Sequence, residues 1–219
     1  RRKRNSNSEE STFLITQEIS KAGTSIWLDD LSRAKLTGDD PQSLPSRIAN
    51  SGVVGVTTNP SIFNSAITGS ADYAADIAAM KSLSPEEIVK KLTTDDVRKA
   101  CDLFASIYKQ SSGVDGRVSI EVDPRLAHDT QSTIDEGKSL WEIVDRPNLL
   151  IKVPATKAGL PAITELIASG ISVNVTLIFS CQRYEEVIDA FILGVEGAQK
   201  RGIDLSAIHS VASFFVSRI

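Results

Sequence analysis

Residues 149–153 read Leu-Leu-Ile-Lys-Val, a short run in which one lysine interrupts four apolar side chains. Because successive residues of a strand face opposite sides, a run that is apolar on both faces is typical of a buried parallel strand. Five other runs are short, mostly apolar and, as a set, rich in Val and Ile. They are Thr24–Asp29, Val53–Thr58, Arg117–Val122, Ile171–Val175 and Ile208–Phe214.

Helical patterns separate these strands. Residues 84–87 (Ser-Pro-Glu-Glu) form a capping box with proline at the first helical position, which predicts a helix towards Leu92. Thr94 or Asp95 can cap a second helix that runs through Tyr108. Strands alternating with helices at this spacing predict an α/β protein with a parallel sheet. Further helices are predicted at His128–Val144, Leu160–Ala168 and Ser180–Lys200.

Polar residues at the strand ends distinguish an open sheet from a closed barrel. A dinucleotide-binding sheet would have G-x-G-x-x-G after its first strand, but residues 30–33 read Asp-Leu-Ser-Arg. Polar side chains instead end several strands, as barrel active sites require. They are Asp29, Asn59, Glu121, Lys152, Asn174 and Ser213. We therefore predict a (β/α)8 TIM barrel over residues 13–219, truncated after about six strands because only six can be counted before Ile219.

Composition limits the function classes. The 219 residues carry a formal net charge of −4, which argues against nucleic-acid binding, and no apolar run approaches the length of a membrane span. Two histidines exclude a His-rich metal site, and both cysteines are expected to be buried free thiols in helices. We expect a cytoplasmic location. Residues 1–12 begin with a polar, charged stretch and are expected to form a disordered tail or to be a fusion remnant.

Lys152 is the residue that most strongly indicates a chemical function, because it lies in an apolar strand and lysine is seldom fully buried. Burial disfavours the ammonium form, and the neutral amine is the nucleophile that condenses with a ketone to give a Schiff base. The alternative is a structural lysine paired with a carboxylate. Asp29 could act as a general acid or base, although alternation turns only one of Asp29 and Asp30 inward and Asp30 or Ser32 could instead cap a short helix.

The other candidates each have a structural alternative. Glu121 could be a carboxylate on a strand surface, and Asn59 precedes a proline and could belong to an ordinary turn. Asn174 and Thr176 lie two residues apart and share a face. Arg218, after the last strand, could clamp a phosphate or be a solvated surface charge.

Together, these segments resemble the transaldolase family. The sequences WLDDLSR and SVASFFVSR, in the first and last motifs, resemble its longer bacterial subfamily. The combination of TTNP, IEVDPRL, IKVPAT and NVTLIFS is specific, although no single motif is. The matching stretches are TSIWLDDLSR (24–33), GVVGVTTNPSIF (52–63), GRVSIEVDPRLAHDT (116–130), NLLIKVPATKAGLPAI (148–163), GISVNVTLIFS (170–180) and IHSVASFFVSRI (208–219).

The resemblance implies an aldolase barrel that transfers a dihydroxyacetone unit from sedoheptulose 7-phosphate to glyceraldehyde 3-phosphate in the pentose phosphate pathway, without a metal or organic cofactor. It implies that Lys152 forms the Schiff base, that Asp29 takes the proton from the C4 hydroxyl, and that Glu121 and Thr176 hold a catalytic water. It further implies that the sugar hydroxyls and phosphate bind to the remaining candidates, Asn59, Asn174, Ser213 and Arg218.

Two rival functions stay open at this point. A fructose-6-phosphate-aldolase-like enzyme shares the lysine and the asparagines, but it has glutamine where Glu121 stands. A catalytically silent fragment, or a module that only binds sugar phosphates, would fit the expected truncation. The expected partners are phosphorylated sugars rather than nucleic acid or a membrane, and the sequence leaves homo-oligomerisation open.

Overall fold

A computed structural model describes residues 15–16, 18–38 and 40–215. Between residues 118 and 119 the chain divides into two compact units, each treated separately below. Among the described residues, no helix combines the length and apolar character needed to cross a bilayer.

The first unit contains strands β1 (Ile26–Asp29) and β2 (Val53–Thr57) and the first residues of β3 (Arg117–Glu121). β1 and β2 are parallel, with Asp29 opposite Thr57, and β2 is parallel to the start of β3. Among the described residues, four α-helices lie between these strands. They are α1 (Leu44–Ser51), α2 (Pro60–Gly69), α3 (Ala74–Ala79) and α4 (Pro85–Gln110).

Helix α4 is one continuous helix, so the predicted division near Thr94 is wrong. The capping box at its start is confirmed, because Ser84 and Glu87 each accept a hydrogen bond from the other's backbone N–H. The Thr94 hydroxyl, which was expected to cap a new helix, donates instead to the carbonyl oxygens of Lys90 and Lys91 at 2.7 and 3.1 Å. A threonine satisfied in this way stays inside a helix.

The second unit contains the rest of β3 together with β4 (Leu149–Pro154), β5 (Val173–Ile178) and β6 (Ser210–Phe214). β4 is buried along its whole length and runs parallel to β5, which is parallel to β6. The register between β5 and β6 shifts between Val175 and Ile178. The helices of this unit are α5 (Thr130–Val144), α6 (Gly159–Ala168) and α7 (Cys181–Lys200).

The six strands are parallel and hydrogen-bonded in chain order, with helices in the connections between them. This is the strand order of a (β/α) barrel, and it confirms the predicted α/β fold class. Two local predictions are wrong. β5 begins and ends later than predicted, at Val173 and Ile178, and Cys181 is exposed because it occupies the first turn of α7, whereas Cys101 is buried in α4 as expected.

Helices α6 and α7 approach each other closely at Gly194. A Cβ atom at that position would lie 2.7 Å from the Cβ of Ile167 and 3.0 Å from the carbonyl oxygen of Thr164. The Thr164 hydroxyl also donates to the carbonyl oxygen of Ala190, at 3.0 Å. Position 194 of α7 therefore has no room for a side chain larger than that of glycine.

Substitution of Gly194 by alanine is expected to lower the free energy of unfolding by about 1–3 kcal/mol, because overpacking outweighs the better helix propensity of alanine. Urea denaturation of the complete polypeptide measures this loss. The matched control is Gly69→Ala at the end of α2, where a Cβ would meet no atom within 4 Å and stability should hold or rise. Equal stability of both variants would contradict the close approach.

Candidate active site

Lys152 and Glu121 form a buried pair in the second unit. Lys152 lies within β4 between Ile151 and Val153 and is 5% exposed. Its Nζ is 3.4 Å from Oε2 of Glu121, the last residue of β3, whose side chain is 9% exposed. The predicted burial of the lysine is therefore confirmed, and the strand-surface alternative for Glu121 is wrong.

Lys152 is paired with a carboxylate, as the structural alternative expected, and that carboxylate is itself a predicted site residue. An amine and a carboxylate at this distance can pass a proton between each other and a bound molecule.

Asn174 and Ser213 belong to a hydrogen-bonded chain beside the lysine. Asn174 lies on β5 directly opposite Lys152 in the strand register. Its Nδ2 donates to the hydroxyl of Ser119 at 2.9 Å, and its Oδ1 accepts from the hydroxyl of Ser213 at 2.8 Å. Sequence reasoning missed Ser119, although its spacing of two residues from Glu121 on one strand indicates a shared face.

Thr176 contributes a hydroxyl that has no hydrogen-bond partner among the residues that the structure describes. The residue is 1% exposed, lies two positions after Asn174, and faces Pro154 in the register of β4 and β5. A buried hydroxyl without a partner lowers the stability of the folded protein by about 1–3 kcal/mol. A hydrogen bond to a bound molecule would recover that loss, and the Thr176 hydroxyl is free to make one. The next residue, Leu177, has a φ of +61°, a left-handed conformation that is costly for leucine.

Asp29 and Asn59 lie in the first unit, in a cleft of about 500 Å³. One wall is formed by the end of β1 and the residues after it, and the other by the start of α2. The polar residues lining the cleft include Asp29, Asp30, Lys35, Asn59, Ser61 and Ser65. The strand-end positions predicted for Asp29 and Asn59 therefore do bring these two side chains to one cavity.

Details around Asp29 differ from the prediction. Both Asp29 and Asp30 line the cleft, rather than only one of them, and Asp30 forms an ion pair with Lys35. Ser32 precedes the short 3₁₀ helix Arg33–Leu36 without a side-chain capping bond, so the capping alternative is wrong. Asn59 does cap a helix, because its Oδ1 accepts from the N–H of Ile62 at 3.0 Å, which leaves its amide NH₂ as the group that can donate to a ligand.

Arg218, the predicted phosphate contact, lies outside the described residues. Within the part of the chain that the structure describes, no group of three or more His, Cys, Asp or Glu side chains is arranged to hold a metal ion. The structure thus assigns Lys152, Glu121, Thr176, Asn174 and Ser213 to the second unit, and Asp29 and Asn59 to a cleft of the first.

Comparison with known proteins gives a consistent result. The family model described as transaldolase/fructose-6-phosphate aldolase matches residues 26–219. Transaldolase 1 of Streptomyces avermitilis is 58% identical over 205 residues, which are 93% of this chain and 53% of that protein. The transaldolases of Mycobacterium tuberculosis and Mycobacterium marinum are each 58% identical over 203 residues, which are 92% of this chain and 54% of each relative. The chain spans about half the length of these curated relatives.

The fold and the buried pair define a protein of the (β/α)-barrel class with a lysine inside one of its parallel strands. Within that class, the chain belongs to the transaldolase/fructose-6-phosphate aldolase family. The resemblance predicted from the motifs is therefore confirmed.

Proposed function

We propose that the complete protein is a transaldolase that transfers a dihydroxyacetone unit from sedoheptulose 7-phosphate to glyceraldehyde 3-phosphate, as a step of the pentose phosphate pathway. The observation that carries this proposal is the 3.4 Å separation between the buried Lys152 Nζ and the Glu121 carboxylate. A buried amine next to a group that can exchange protons is the arrangement that Schiff-base formation requires. The curated relatives named transaldolase support the same function.

The first half of the reaction uses Lys152 and Glu121. The lone pair of the neutral Nζ attacks the ketose C2 carbonyl and gives a carbinolamine. Loss of the C2 hydroxyl as water, with a proton supplied through Glu121, then gives the iminium ion. The unpaired hydroxyl of Thr176 would hold the water that relays this proton.

Carbon–carbon cleavage follows on the iminium ion. The C4 hydroxyl gives its proton to the Asp29 carboxylate, the C3–C4 bond breaks, and its electron pair moves into the iminium to form an enamine. Erythrose 4-phosphate leaves at this point. The enamine then adds to the aldehyde carbon of glyceraldehyde 3-phosphate, Asp29 returns the proton, and hydrolysis of the imine releases fructose 6-phosphate and the free lysine.

Polar side chains of each unit would bind groups of the sugar phosphate. Asn174 and Ser213 already form a hydrogen-bonded chain beside Lys152, and exchange of these hydrogen bonds would let them bind hydroxyl groups of a ketose held there. Asn59 retains its amide NH₂ as a donor to a sugar oxygen. Arg218 would pair with the phosphate, as a guanidinium does through two parallel hydrogen bonds.

Borohydride reduction in the presence of fructose 6-phosphate tests this proposal on the complete polypeptide. We expect a stable covalent adduct on the peptide that contains Lys152, with the mass of a reduced dihydroxyacetone unit, because cleavage leaves that unit on the lysine. The matched control omits the sugar and should give no adduct. A folded preparation that forms no adduct would overturn the proposal and leave a protein that only binds sugar phosphates.

A second measurement on the same polypeptide distinguishes transfer from simple aldol cleavage. With fructose 6-phosphate and no acceptor, a transaldolase holds the enamine and releases little free dihydroxyacetone, because cleavage without acceptor leaves the intermediate on the lysine. Release of dihydroxyacetone at a rate comparable to transfer would favour the fructose-6-phosphate-aldolase-like function instead. The presence of Glu121, rather than glutamine, supports transfer.

A further inference from the structure

A buried carboxylate in the first unit has no task in the reaction above. Asp96 lies in α4 and is fully buried. Its Oδ2 accepts a hydrogen bond from the hydroxyl of Tyr73 at 2.8 Å, and its Oδ1 accepts from Nε of Arg33 at 3.1 Å. Buried charges are retained only when they are paired, and here both oxygens are used. We refer to Arg33, Tyr73 and Asp96 as the Tyr73 cluster.

The Tyr73 hydroxyl is the centre of this cluster. It donates to Asp96 and accepts from the backbone N–H of Arg33 at 2.9 Å, so both of its roles are fixed. The guanidinium of Arg33 lies 4.5 Å from the centre of the Tyr73 ring, within the range of a cation–π interaction. Burial, together with the hydrogen bond to Asp96, raises the pKa of Tyr73, so the phenol remains a donor at neutral pH.

The cluster is attached to the segment that follows β1. Arg33 begins the short 3₁₀ helix four residues after Asp29. Asp30 and Lys35 of the same segment line the cleft that contains Asp29. Leu31 and Leu36 are 1% and 4% exposed, so the segment is also packed into the core on either side of Arg33.

We propose that Tyr73 and Asp96 are positioning residues that hold the segment after β1 against α4 and thereby fix the carboxylate of Asp29 in the cleft. This inference rests on the proposed role of Asp29 in proton transfer. Neither Tyr73 nor Asp96 lines the cleft. Tyr73 accepts from the backbone N–H of Arg33, and Asp96 accepts from the Tyr73 hydroxyl and from the Arg33 side chain. Because proton transfer depends steeply on geometry, a small displacement of Asp29 slows carbon–carbon cleavage without affecting the lysine.

The test compares Tyr73→Phe and Asp96→Asn in the complete polypeptide. Tyr73→Phe removes the hydroxyl and both of its hydrogen bonds but keeps the ring that stacks on Arg33. We expect transfer to fall by about 10- to 100-fold, the range for a misplacement near 1 Å. The total borohydride-trapped adduct on Lys152 should form at an unchanged rate but include more of the uncleaved donor, since imine formation precedes the step that needs Asp29.

Asp95→Asn is the matched control, because Asp95 is the neighbour of Asp96 on α4 but pairs along the helix with Lys91 and Arg98. It should leave transfer unchanged. If Asp96→Asn fails to fold, Tyr73→Phe, with its thermal midpoint measured alongside, still decides the question. Unchanged transfer in a folded Tyr73→Phe variant would overturn the inference.

A double-mutant cycle with Asp29→Asn separates positioning from a general loss of structure. If the Tyr73 cluster acts through Asp29, Tyr73→Phe should reduce transfer by less than about twofold in the Asp29→Asn background, since coupled residues are not additive. Full additivity would overturn the positioning role and leave the proposed function intact. Unchanged transfer in Asp29→Asn alone would instead overturn the role of Asp29, and the positioning role with it.

Discussion

Replacement of Lys152 by methionine is expected to abolish dihydroxyacetone transfer, with a loss on the order of 10³–10⁶, as for other residues that form covalent intermediates. Methionine has nearly the length of lysine and no amine, so no imine can form. It is also apolar, and the position lies between two fully buried side chains, Ile151 and Val153. Folding should therefore be largely preserved, because the new side chain suits its surroundings and the Glu121 carboxylate, once the lysine is gone, can neutralise by taking up a proton.

The measurement combines initial rates of transfer, borohydride trapping and thermal unfolding on the complete polypeptide. Lys157→Met is the matched control, because Lys157 is exposed and only five residues away in the chain. That control should keep full activity and full trapping. A Lys152→Met protein that still forms an adduct with fructose 6-phosphate would show that another amine is the nucleophile, and the proposed mechanism would be wrong.

Several features could be predicted from sequence because they depend on local patterns. A lysine in the run Leu149–Val153 is visible without a structure, since the strand is apolar on both faces and leaves the amine nowhere to be solvated. The capping box at Ser84 is equally local, because its two reciprocal hydrogen bonds connect residues three positions apart. The strand positions of Asp29 and Asn59 placed both residues at one cleft.

The Tyr73 cluster was missed because its partners are distant in the chain. Arg33 and Asp96 are 63 positions apart, and no periodic pattern connects them. A signal for Asp96 was nevertheless present, since it lies four residues from both Leu92 and Ala100, on the buried stripe of one helix. The interpretation of Thr94 and Asp95 as helix caps divided that stripe and concealed the buried carboxylate.

Substitution of Glu121 by glutamine distinguishes two roles for the buried pair. If Glu121 transfers a proton during carbinolamine dehydration, imine formation should slow by roughly 10²–10⁴, because an amide has the same shape but cannot exchange the proton. If Glu121 only balances the charge of Lys152, glutamine removes a charge 3.4 Å from Nζ and takes away no group that the chemical step needs. Imine formation should then be unchanged or faster, because an anion beside an amine favours its unreactive ammonium form.

The time course of borohydride trapping with fructose 6-phosphate measures this rate directly. Glu165→Gln is the control, because it makes the same chemical change in a carboxylate that pairs with Lys138 and Arg201 away from the lysine. The Glu165→Gln variant should be somewhat less stable, but its rate of borohydride trapping should be unchanged. Glu121 lies 3.4 Å from Nζ with its side chain almost excluded from solvent, so bulk water cannot readily replace it as a proton carrier. We therefore expect imine formation to slow in Glu121→Gln. Trapping as fast as in the unmodified protein would show that Glu121 only balances the charge of Lys152.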